Sequence, residues 1–279
     1  MIRLDRKRFF DGYREAFDAL TASKVASIEA LLAALESDPH VTDIRWAAYM
    51  LATAYHETAA TMAPIDEYGS EAYFNRRYGP GTAVGKRLGN VRIGDGARFH
   101  GRGLVQITGR RNHHVMSVRL RESYGQIVDL EADPERAKDV LTAYRIMSLG
   151  MRDGLFTGKS LRQYINGAKC DYLNARRIIN GTDKAALIAG HAVKFERILR
   201  ASQIAETQPL PAPDVPVAAS TGTVATLVGG GAVAATGGAA VAASGVTGGV
   251  SWIAWAVVGL ILIGAMTLAA LWFFGRRQG

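Results

Sequence analysis

The sequence predicts a mainly α-helical domain that contains a long irregular region and is followed by a C-terminal transmembrane helix. Three observations support this. Apolar residues recur at helical spacing through most of residues 1–203. Ten glycines fall between residues 64 and 112, and glycines at this density interrupt regular structure. No charged residue occurs from residue 215 to residue 275, and this stretch closes on an unbroken apolar run.

Three helices are predicted in the N-terminal third, each with an apolar stripe. They cover about residues 8–20, 24–36 and 44–62. Pro39 ends the second helix, and the side chain of Thr42 or Asp43 can cap the third. The third helix therefore carries His56 and Glu57 at its C-terminal end.

The middle of the domain, residues 64–112, is predicted to be irregular, with a short β-hairpin near Phe99–Ile107. Pro64 stops the preceding helix, and glycines and tyrosines dominate the residues after it. So long a loop in a compact domain is usually functional. A helix is expected to follow over about residues 112–124.

Further helices are predicted after residue 130, each with its own start signal. They cover about residues 134–150, 161–167, 172–179 and 183–203. Asp133 precedes a proline at the first helical position, and Ser160 with Gln163 fits a capping box. Asp171 is the expected cap of the third of these helices and Thr182 that of the last.

The chain divides into a domain of residues 1–205 and a tail. Residues 206–216 are predicted to be a proline-rich linker. Residues 217–250 are an uncharged Gly/Ala-rich segment, in which a second, weaker membrane span is an open alternative. Residues 251–275 contain 23 successive apolar positions, which reach roughly 33 Å as a helix and can cross a bilayer. Residues 276–279 form a basic tail.

The charge balance indicates an anionic partner. The formal net charge is +8, and residues 1–206 carry 31 of the 33 basic and 24 of the 25 acidic residues, a net charge of +7. A basic domain suits nucleic acid, a membrane surface or the bacterial cell wall. No aromatic-basic platform or known module supports nucleic acid. Cys170 is the single cysteine, so the fold cannot depend on an internal disulfide.

Two carboxylates form the candidate catalytic pair. Glu57 ends an apolar helix beside Tyr55, where partial burial favours a protonated carboxyl group. Glu67 follows ten residues later in a polar, glycine-flanked loop, where a carboxylate stays ionised. Glycoside hydrolysis needs one carboxylic acid to protonate the leaving oxygen and a second carboxylate to activate water. On this physics Glu57 is the acid and Glu67 is the base.

Competing motifs fail at single positions. A zinc-binding HExxH motif that begins at His56 requires a second histidine where Ala60 stands. A phosphate-binding loop over residues 81–87 lacks its first glycine and its closing Ser or Thr, because Pro80 and Arg87 occupy those positions. We therefore expect neither a metal nor a cofactor.

Four segments occur in an order that carries a family resemblance. They are His56-Glu57-Thr58, Pro64-Ile65-Asp66-Glu67-Tyr68-Gly69, Phe99–Thr108 and Ile178-Ile179-Asn180-Gly181. Together with Asn112, they make residues 5–200 resemble glycoside hydrolase family 19, the chitinase-like fold, and most closely its short phage-type lysozyme (endolysin) branch. The resemblance implies a lysozyme-like helical domain.

The same resemblance implies a role for each matching residue. Glu57 corresponds to the general acid, Glu67 to the second catalytic carboxylate, and Thr108 to the hydroxyl that helps hold the nucleophilic water. The residues that would bind substrate or orient these groups are His56, Tyr68, Gln106, Asn112 and Asn180. The family inverts configuration, which requires the two carboxyl groups to lie roughly 6.5–9.5 Å apart.

Departures from the family pattern leave alternatives open. The spacing of Glu57 and Glu67 is far shorter than in plant chitinases, and Thr182 replaces one glycine of the last segment. Asp66 and Glu71 compete with Glu67 for the role of base. A chitinase is therefore the alternative enzyme. The alternative from another class is a non-catalytic, membrane-anchored wall-binding or lysis-scaffold protein.

The predicted function is that of a muramidase that lyses bacterial cells for a phage or prophage. Its expected partners are peptidoglycan glycan strands, a lipid bilayer through residues 251–275, and other phage lysis proteins. The expected location is the host inner membrane. Arg276-Arg277 favour a cytoplasmic C-terminus by the positive-inside rule, whereas a basic domain opposes translocation. One span, a two-span hairpin and a tail anchor therefore stay open, and with them the side on which the domain lies.

Overall fold

The structure, a computed structural model of the chain, describes residues 1–204. The predicted linker, Gly/Ala-rich segment, transmembrane helix and basic tail all fall outside the described residues, so they stay predictions. Within residues 1–204, no helix combines the length and the apolar composition needed to cross a bilayer.

Helices dominate the described residues, which confirms the predicted class. The α-helices are α1 (Arg6–Ala16), α2 (Ala22–Glu36), α3 (Ile44–Glu57), α4 (Glu71–Tyr78), α5 (Ala83–Arg87), α6 (Asp95–Arg98), α7 (Arg110–Tyr124), α8 (Val140–Asp153), α9 (Leu161–Tyr164), α10 (Tyr172–Ala175) and α11 (Ala185–Ser202). Two 3-10 helices span Pro134–Lys138 and Arg176–Ile178. The strands are β1 (Ile65–Asp66), β2 (Arg102–Gly103), β3 (Ile165–Asn166) and β4 (Lys169–Cys170), paired antiparallel as β1 with β2 and β3 with β4.

Helix α3 lies inside the main hydrophobic core. Nine of its 14 residues are buried, and alanines such as Ala47, Ala48 and Ala52 let neighbouring helices approach closely. Helix α11 packs along α3 and also contacts α1 and α10. A helix that is buried on most sides meets water only near its ends. The charged residue at the C-terminal end of α3 is therefore placed at the edge of the core.

Local capping sets most helix starts. The predicted caps Asp43 and Asp171 each accept a hydrogen bond from a backbone N–H in the first helical turn. The prediction that Thr182 caps the last helix is wrong. The residue before α11 is Lys184, whose φ of 56° lies in the left-handed region. The Thr182 carbonyl oxygen instead accepts from the Ala185 N–H at 3.2 Å, so a turn precedes the helix.

The glycine-rich middle region is more ordered than predicted. Helices α4, α5 and α6 lie in it, and Phe74, Tyr78 and Leu88 form a second, small buried cluster. Ser70 and Thr82 cap α4 and α5 through their side chains. Helices of four to eight residues are too short to repeat an apolar pattern. The capping residues Ser70 and Thr82 were the only signals of α4 and α5 in the sequence.

The predicted hairpin near Phe99–Ile107 is present in part. Arg102 and Ile107 exchange two backbone hydrogen bonds, of 3.2 and 3.0 Å, and so close a turn. The paired strand of β2, however, is β1. A partner that lies so far back in the chain leaves no trace in the local pattern.

Three predicted helices are shorter or interrupted. The helix predicted over 134–150 is a 3-10 helix that stops at Lys138, and α8 begins only at Val140, because Asp139 has an extended ψ of 126°. The helix predicted over 161–167 ends at Tyr164 and continues as the β3–β4 hairpin. The helix predicted over 172–179 divides into α10 and a 3-10 turn. Because the apolar spacing continues across each of these breaks, periodicity alone does not reveal where the helix is interrupted.

His113 in α7 is buried as a neutral imidazole. Its Nδ1 lies 2.9 Å from the Gly109 carbonyl oxygen, and since a carbonyl can only accept, Nδ1 carries the proton. Its Nε2 is buried without a hydrogen-bond partner. Burial lowers the pKa of His113 from 6.5 to about 4, an effect larger than the opposing one of the Gly109 hydrogen bond.

The protein should lose stability as the pH falls from about 6.5 to about 4. In this window the unfolded chain binds a proton at residue 113 that the folded protein excludes. The free energy of unfolding should therefore fall by about 3 kcal/mol across the window. His113→Phe removes this titration. The slope of the free energy of unfolding against pH, measured by urea unfolding, should therefore be lower by about 1.4 kcal/mol per pH unit. An unchanged slope would contradict the buried neutral state; His114→Phe, at an exposed position, is the control.

Candidate active site

Glu57 is the last residue of α3, and its carboxylate pairs with a buried arginine. Arg176 Nη1 donates a hydrogen bond to Glu57 Oε1 at 2.6 Å. The Arg176 side chain is 1% exposed and that of Glu57 is 15% exposed. The partial burial expected for Glu57 is therefore present, together with a cationic partner that the sequence analysis did not include.

Arg176 is positioned by the loop that follows it. Its Nε donates to the Asp183 carbonyl oxygen at 3.1 Å, whereas its Nη2 is buried without a partner. The Asn180 N–H donates to the Arg176 carbonyl oxygen at 3.0 Å, and Asn180 Oδ1 accepts from the Gly181 N–H at 2.7 Å. Asn180 thus lies in the turn that holds Arg176. The sequence offered no sign of Arg176, because its burial arises only when distant helices meet.

His56 precedes Glu57 and is half-buried. Burial lowers the pKa of His56, and this effect exceeds the opposing attraction of the Glu57 carboxylate. The imidazole is therefore neutral at pH 7, so one of its nitrogens can donate a hydrogen bond and the other can accept one. Among residues 1–204, no group of three or more His, Cys, Asp or Glu side chains is arranged to hold a metal ion.

A strained turn connects the two candidate carboxylates. Thr58 Oγ1 donates to the Ala54 carbonyl oxygen at 2.7 Å and accepts from the Met62 N–H at 3.0 Å. It thereby closes α3 and holds the next loop. Ala59, Ala60 and Met62 have φ values of 49°, 65° and 60°. Such conformations cost a non-glycine residue about 1–3 kcal/mol, and they cluster at active sites.

Glu67 follows β1 and is held by two neutral donors. The Tyr78 hydroxyl donates to Glu67 Oε1 at 2.8 Å, and the Gly101 N–H donates to Glu67 Oε2 at 3.0 Å. The Glu67 N–H in turn donates to the Gly101 carbonyl oxygen at 2.8 Å. Burial, more than the nearby carboxylate, raises the pKa of Tyr78, so this hydroxyl keeps its proton. No cation of the described chain pairs with Glu67.

Three other predicted site residues extend the Glu67 cluster. Gln106 Nε2 donates to the Ile65 carbonyl oxygen at 3.0 Å. The Thr108 hydroxyl donates to the Gln106 carbonyl oxygen at 3.1 Å, and Asn112 Nδ2 donates to the Thr108 carbonyl oxygen at 2.7 Å. A Cβ added to Gly101 would lie 3.0 Å from Gln106 Oε1 and 3.1 Å from Glu67 Oε2. Glu67 and Gln106 therefore meet at a glycine, where a larger residue would push at least one of the two side chains aside.

The two competitors of Glu67 stand in different surroundings. Asp66 is bonded to Lys138 and His100, and Arg102 lies 3.4 Å away. Burial acts to raise the pKa of Asp66, but the hydrogen bonds from Lys138 and His100 outweigh it and hold the pKa below its usual value. Glu71 is exposed in the first turn of α4. Asp66 is thus engaged by cations, and Glu71 is hydrated.

Glu67 opens onto a cleft of about 660 Å³. Its walls combine acidic, basic and apolar groups, and they include Asp66, Glu67, Glu71, Phe74, His100, Arg102 and Pro134. The His100 ring stacks on Phe74 with 4.5 Å between the ring centroids. Tyr68, next to Glu67 in the chain, is 78% exposed. An open cleft with an aromatic ring at its edge suits an extended polar ligand such as a glycan.

The predicted site residues fall into two clusters. One joins Glu57 to the turn of Asn180 through Arg176, and the other joins Glu67 to Gln106 and onward to Thr108 and Asn112. Glu57 and Glu67 share no hydrogen bond. Arg176 and Tyr78 are the site residues that the sequence analysis missed. Tyr78 belongs to a tyrosine-rich region, which was the one available signal.

Comparisons with known proteins give a distant structural likeness. No protein-family model and no curated protein matches the sequence. Chitinase C from Streptomyces griseus HUT6037 aligns at a TM-score of 0.44 and 18% identity, over 71% of this chain and 92% of that one. A crystal structure of a bacterial family 19 chitinase aligns at a TM-score of 0.39 and 17% identity, over 71% and 94%. The choice of a reaction therefore rests on the side chains described above.

Arg176→Met should destabilise the protein far more than the loss of a surface cation. It leaves the largely buried Glu57 carboxylate unpaired, which should lower the free energy of unfolding by about 3 kcal/mol. The control Lys7→Met breaks an exposed pair with Asp11 and should leave the free energy of unfolding almost unchanged. Urea denaturation measures both.

A double variant separates lost charge pairing from lost packing. Adding Glu57→Gln to Arg176→Met should restore part of the lost stability, because no unpaired buried charge then remains. Strictly additive losses in the double variant would show that the ion pair contributes nothing.

Proposed function

We propose that this protein is a glycosidase that hydrolyses the β-1,4 bond between N-acetylmuramic acid and N-acetylglucosamine in peptidoglycan. The observation that carries the proposal is the unequal setting of its two carboxylates. Glu57 ends a buried helix and pairs with Arg176. Glu67 is held by neutral donors and lines an open cleft. Glycoside hydrolysis requires two carboxyl groups in distinct electrostatic settings.

The proposed chemistry assigns one proton transfer to each carboxyl group. Glu57 gives its proton to the leaving glycosidic oxygen as the bond to the anomeric carbon breaks. The Glu57 carboxyl group contacts Arg176, and we expect bound sugar to displace that contact as the proton is transferred. Glu67 takes a proton from a water molecule whose oxygen bonds to the anomeric carbon from the opposite face. One water is consumed, and solvent returns the proton from Glu67 to Glu57.

The neighbours of Glu67 suit the water-activating role. The Thr108 hydroxyl donates to a backbone oxygen, so its lone pairs are left to accept a hydrogen bond from the attacking water. Gln106 and Asn112 anchor the segment on which Thr108 lies. Tyr68 offers an exposed ring on which a sugar can stack. Asn180 and His56 belong to the surroundings of Glu57, where they would orient the acid or bind the departing sugar.

Charge favours peptidoglycan over chitin as the substrate. Residues 1–206 carry a net charge of +7. Peptidoglycan is anionic through its lactyl-linked peptide stems, whereas chitin is uncharged, so long-range attraction raises the local concentration of the first polymer alone. The resemblance to the phage-type endolysin branch supports the same choice. We propose that the reaction serves host-cell lysis next to the inner membrane, with residues 251–275 as the anchor.

Purified protein should solubilise isolated peptidoglycan at least tenfold faster than it cleaves chitin oligomers of matched length. Nuclear magnetic resonance of the first products should show the α-anomer at the new reducing ends, because an inverting enzyme turns a β-linkage into an α-product. Faster cleavage of chitin would make the protein a chitinase. A β-anomer would overturn the two-carboxylate inverting mechanism.

Variants of the acidic residues test the assignment of roles. Glu57→Gln and Glu67→Gln should each lower kcat by about 10²–10⁴-fold, the contribution typical of general acid–base groups. Glu71→Gln changes an exposed carboxylate and is the matched control, with activity within about twofold of the parent protein. A large loss in the control together with an active Glu67→Gln would transfer the role of base to Glu71. Full activity in Glu57→Gln would overturn the assignment of Glu57 as the acid, whereas wall binding by the parent protein without any hydrolysis would favour the non-catalytic wall-binding alternative.

A further inference from the structure

Two apolar side chains project from the loop between α5 and α6. Val91 is 69% exposed and Ile93 is 99% exposed. Together with Arg92 they form the outermost part of this loop, here called the tip. A single exposed apolar residue is ordinary. Two of them on either side of an arginine, with neither in contact with the core, suggest a surface that binds an apolar partner beside an anionic one.

Exposed cations surround the tip. Lys86 and Arg87 end α5, and Arg111 lies in the first turn of α7. The Arg111 N–H donates to the Leu88 carbonyl oxygen at 3.1 Å, and a Cβ on Gly89 would lie 2.8 Å from Arg111 Cβ. The start of α7 therefore abuts the chain that leads from α5 to the tip.

These cations have no acidic partners. Within the described chain, Lys86, Arg87, Arg92 and Arg111 form no ion pair, and all four are exposed. Asp95, Asp129 and Glu131 line the same cavity as Arg92 and Ile93, but Arg110 bonds both Asp95 and Glu131. The four unpaired cations therefore outnumber the one nearby carboxylate, Asp129, that has no cationic partner within residues 1–204.

The tip is held in its projecting position by buried polar groups. Asp95 Oδ2 accepts from the Val91 N–H at 2.8 Å and from the Arg92 N–H at 2.9 Å. Asn90 Nδ2 donates to the Tyr78 carbonyl oxygen at 2.8 Å, and Asn90 Oδ1 accepts from the Arg110 N–H at 2.9 Å. The apolar side chains are therefore kept out of the protein core by fixed backbone contacts.

We propose that the tip is a membrane-docking surface that inserts Val91 and Ile93 into the interface of an anionic phospholipid bilayer. The surrounding cations would bind lipid phosphates, as basic residues do beside apolar side chains that enter a membrane interface. A hydrophilic anionic polymer would satisfy the cations but would leave both apolar side chains in water. This docking is separate from the proposed hydrolase activity and does not depend on it.

Site-specific fluorescence on the full-length protein tests the insertion. Cys170, the single cysteine, is changed to serine, and the environment-sensitive dye NBD is attached to Ile93→Cys. Vesicles of phosphatidylglycerol and phosphatidylcholine should shift the emission to the blue and at least double it, whereas vesicles of phosphatidylcholine alone should not. The same label on Ile127→Cys, a position 82% exposed and outside the tip, is the control and should report water in both cases.

Charge variants test the role of the cations. Arg87→Gln with Arg92→Gln should shift the equilibrium between inserted and water-exposed tip about 30-fold toward water, since each cation near an anionic surface is worth roughly a factor of five. The matched control Lys159→Gln with Arg162→Gln removes two exposed, unpaired charges elsewhere and should change nothing. Equal urea midpoints check that both variants fold.

Three outcomes would overturn the proposal. One is an NBD emission from position 93 that keeps its wavelength and intensity in water when anionic vesicles are added. Another is a signal of equal size at position 127 or on neutral vesicles. The third is a charge variant that releases the protein from isolated peptidoglycan while the tip remains in water, which would assign these cations to the wall polymer. Peptidoglycan hydrolysis is measured on the same samples, so failure of docking and failure of the proposed activity are distinguished.

Discussion

The ion pair between Glu57 and Arg176 is the interaction on which the arrangement of the site depends. Helix α3 is apolar over most of its length, and its burial forms much of the core. A carboxylate at the end of such a helix is tolerated only with a partner, because an unpaired buried charge costs several kcal/mol. Arg176 supplies that partner from 119 residues further along the chain. Core packing and the placement of the proposed acid are thereby linked.

Glu67 is positioned in another way, through neutral donors and backbone. Its carboxylate binds the Tyr78 hydroxyl and the Gly101 N–H, so its negative charge has no salt-bridge partner. Glycine at 101 lets both side chains approach closely, because an added Cβ would lie only 3.0 Å from Gln106 Oε1 and 3.1 Å from Glu67 Oε2. An ion pair therefore holds the Glu57 carboxylate, whereas uncharged hydrogen-bond donors hold that of Glu67. In the proposed reaction, this difference would let one carboxyl group give a proton and the other take one.

Elements with a strong local signal were predictable. Helix α3, its cap Asp43 and the proximity of Glu57 to its end follow from apolar spacing, an N-cap residue and the stop at Pro64. Helices α4 to α6 were missed, since they are too short to repeat a pattern and since Gly94 and Gly96 flank or enter them. The start of α11 was misplaced, because Lys184 adopts a left-handed conformation that no lysine signals in advance.

By itself, the sequence determined the helical class, the two candidate carboxylates and the segments around Gln106, Thr108 and Asn180, since each rests on residues close together in the chain. Only the tertiary structure decided what each carboxylate touches. Arg176 reaches Glu57 and β1 pairs with β2 across long stretches of chain, and Tyr78 reaches back to Glu67 from the last turn of α4. Local spacing records which face of a segment is buried. It does not record which distant group will meet that face once the core has closed.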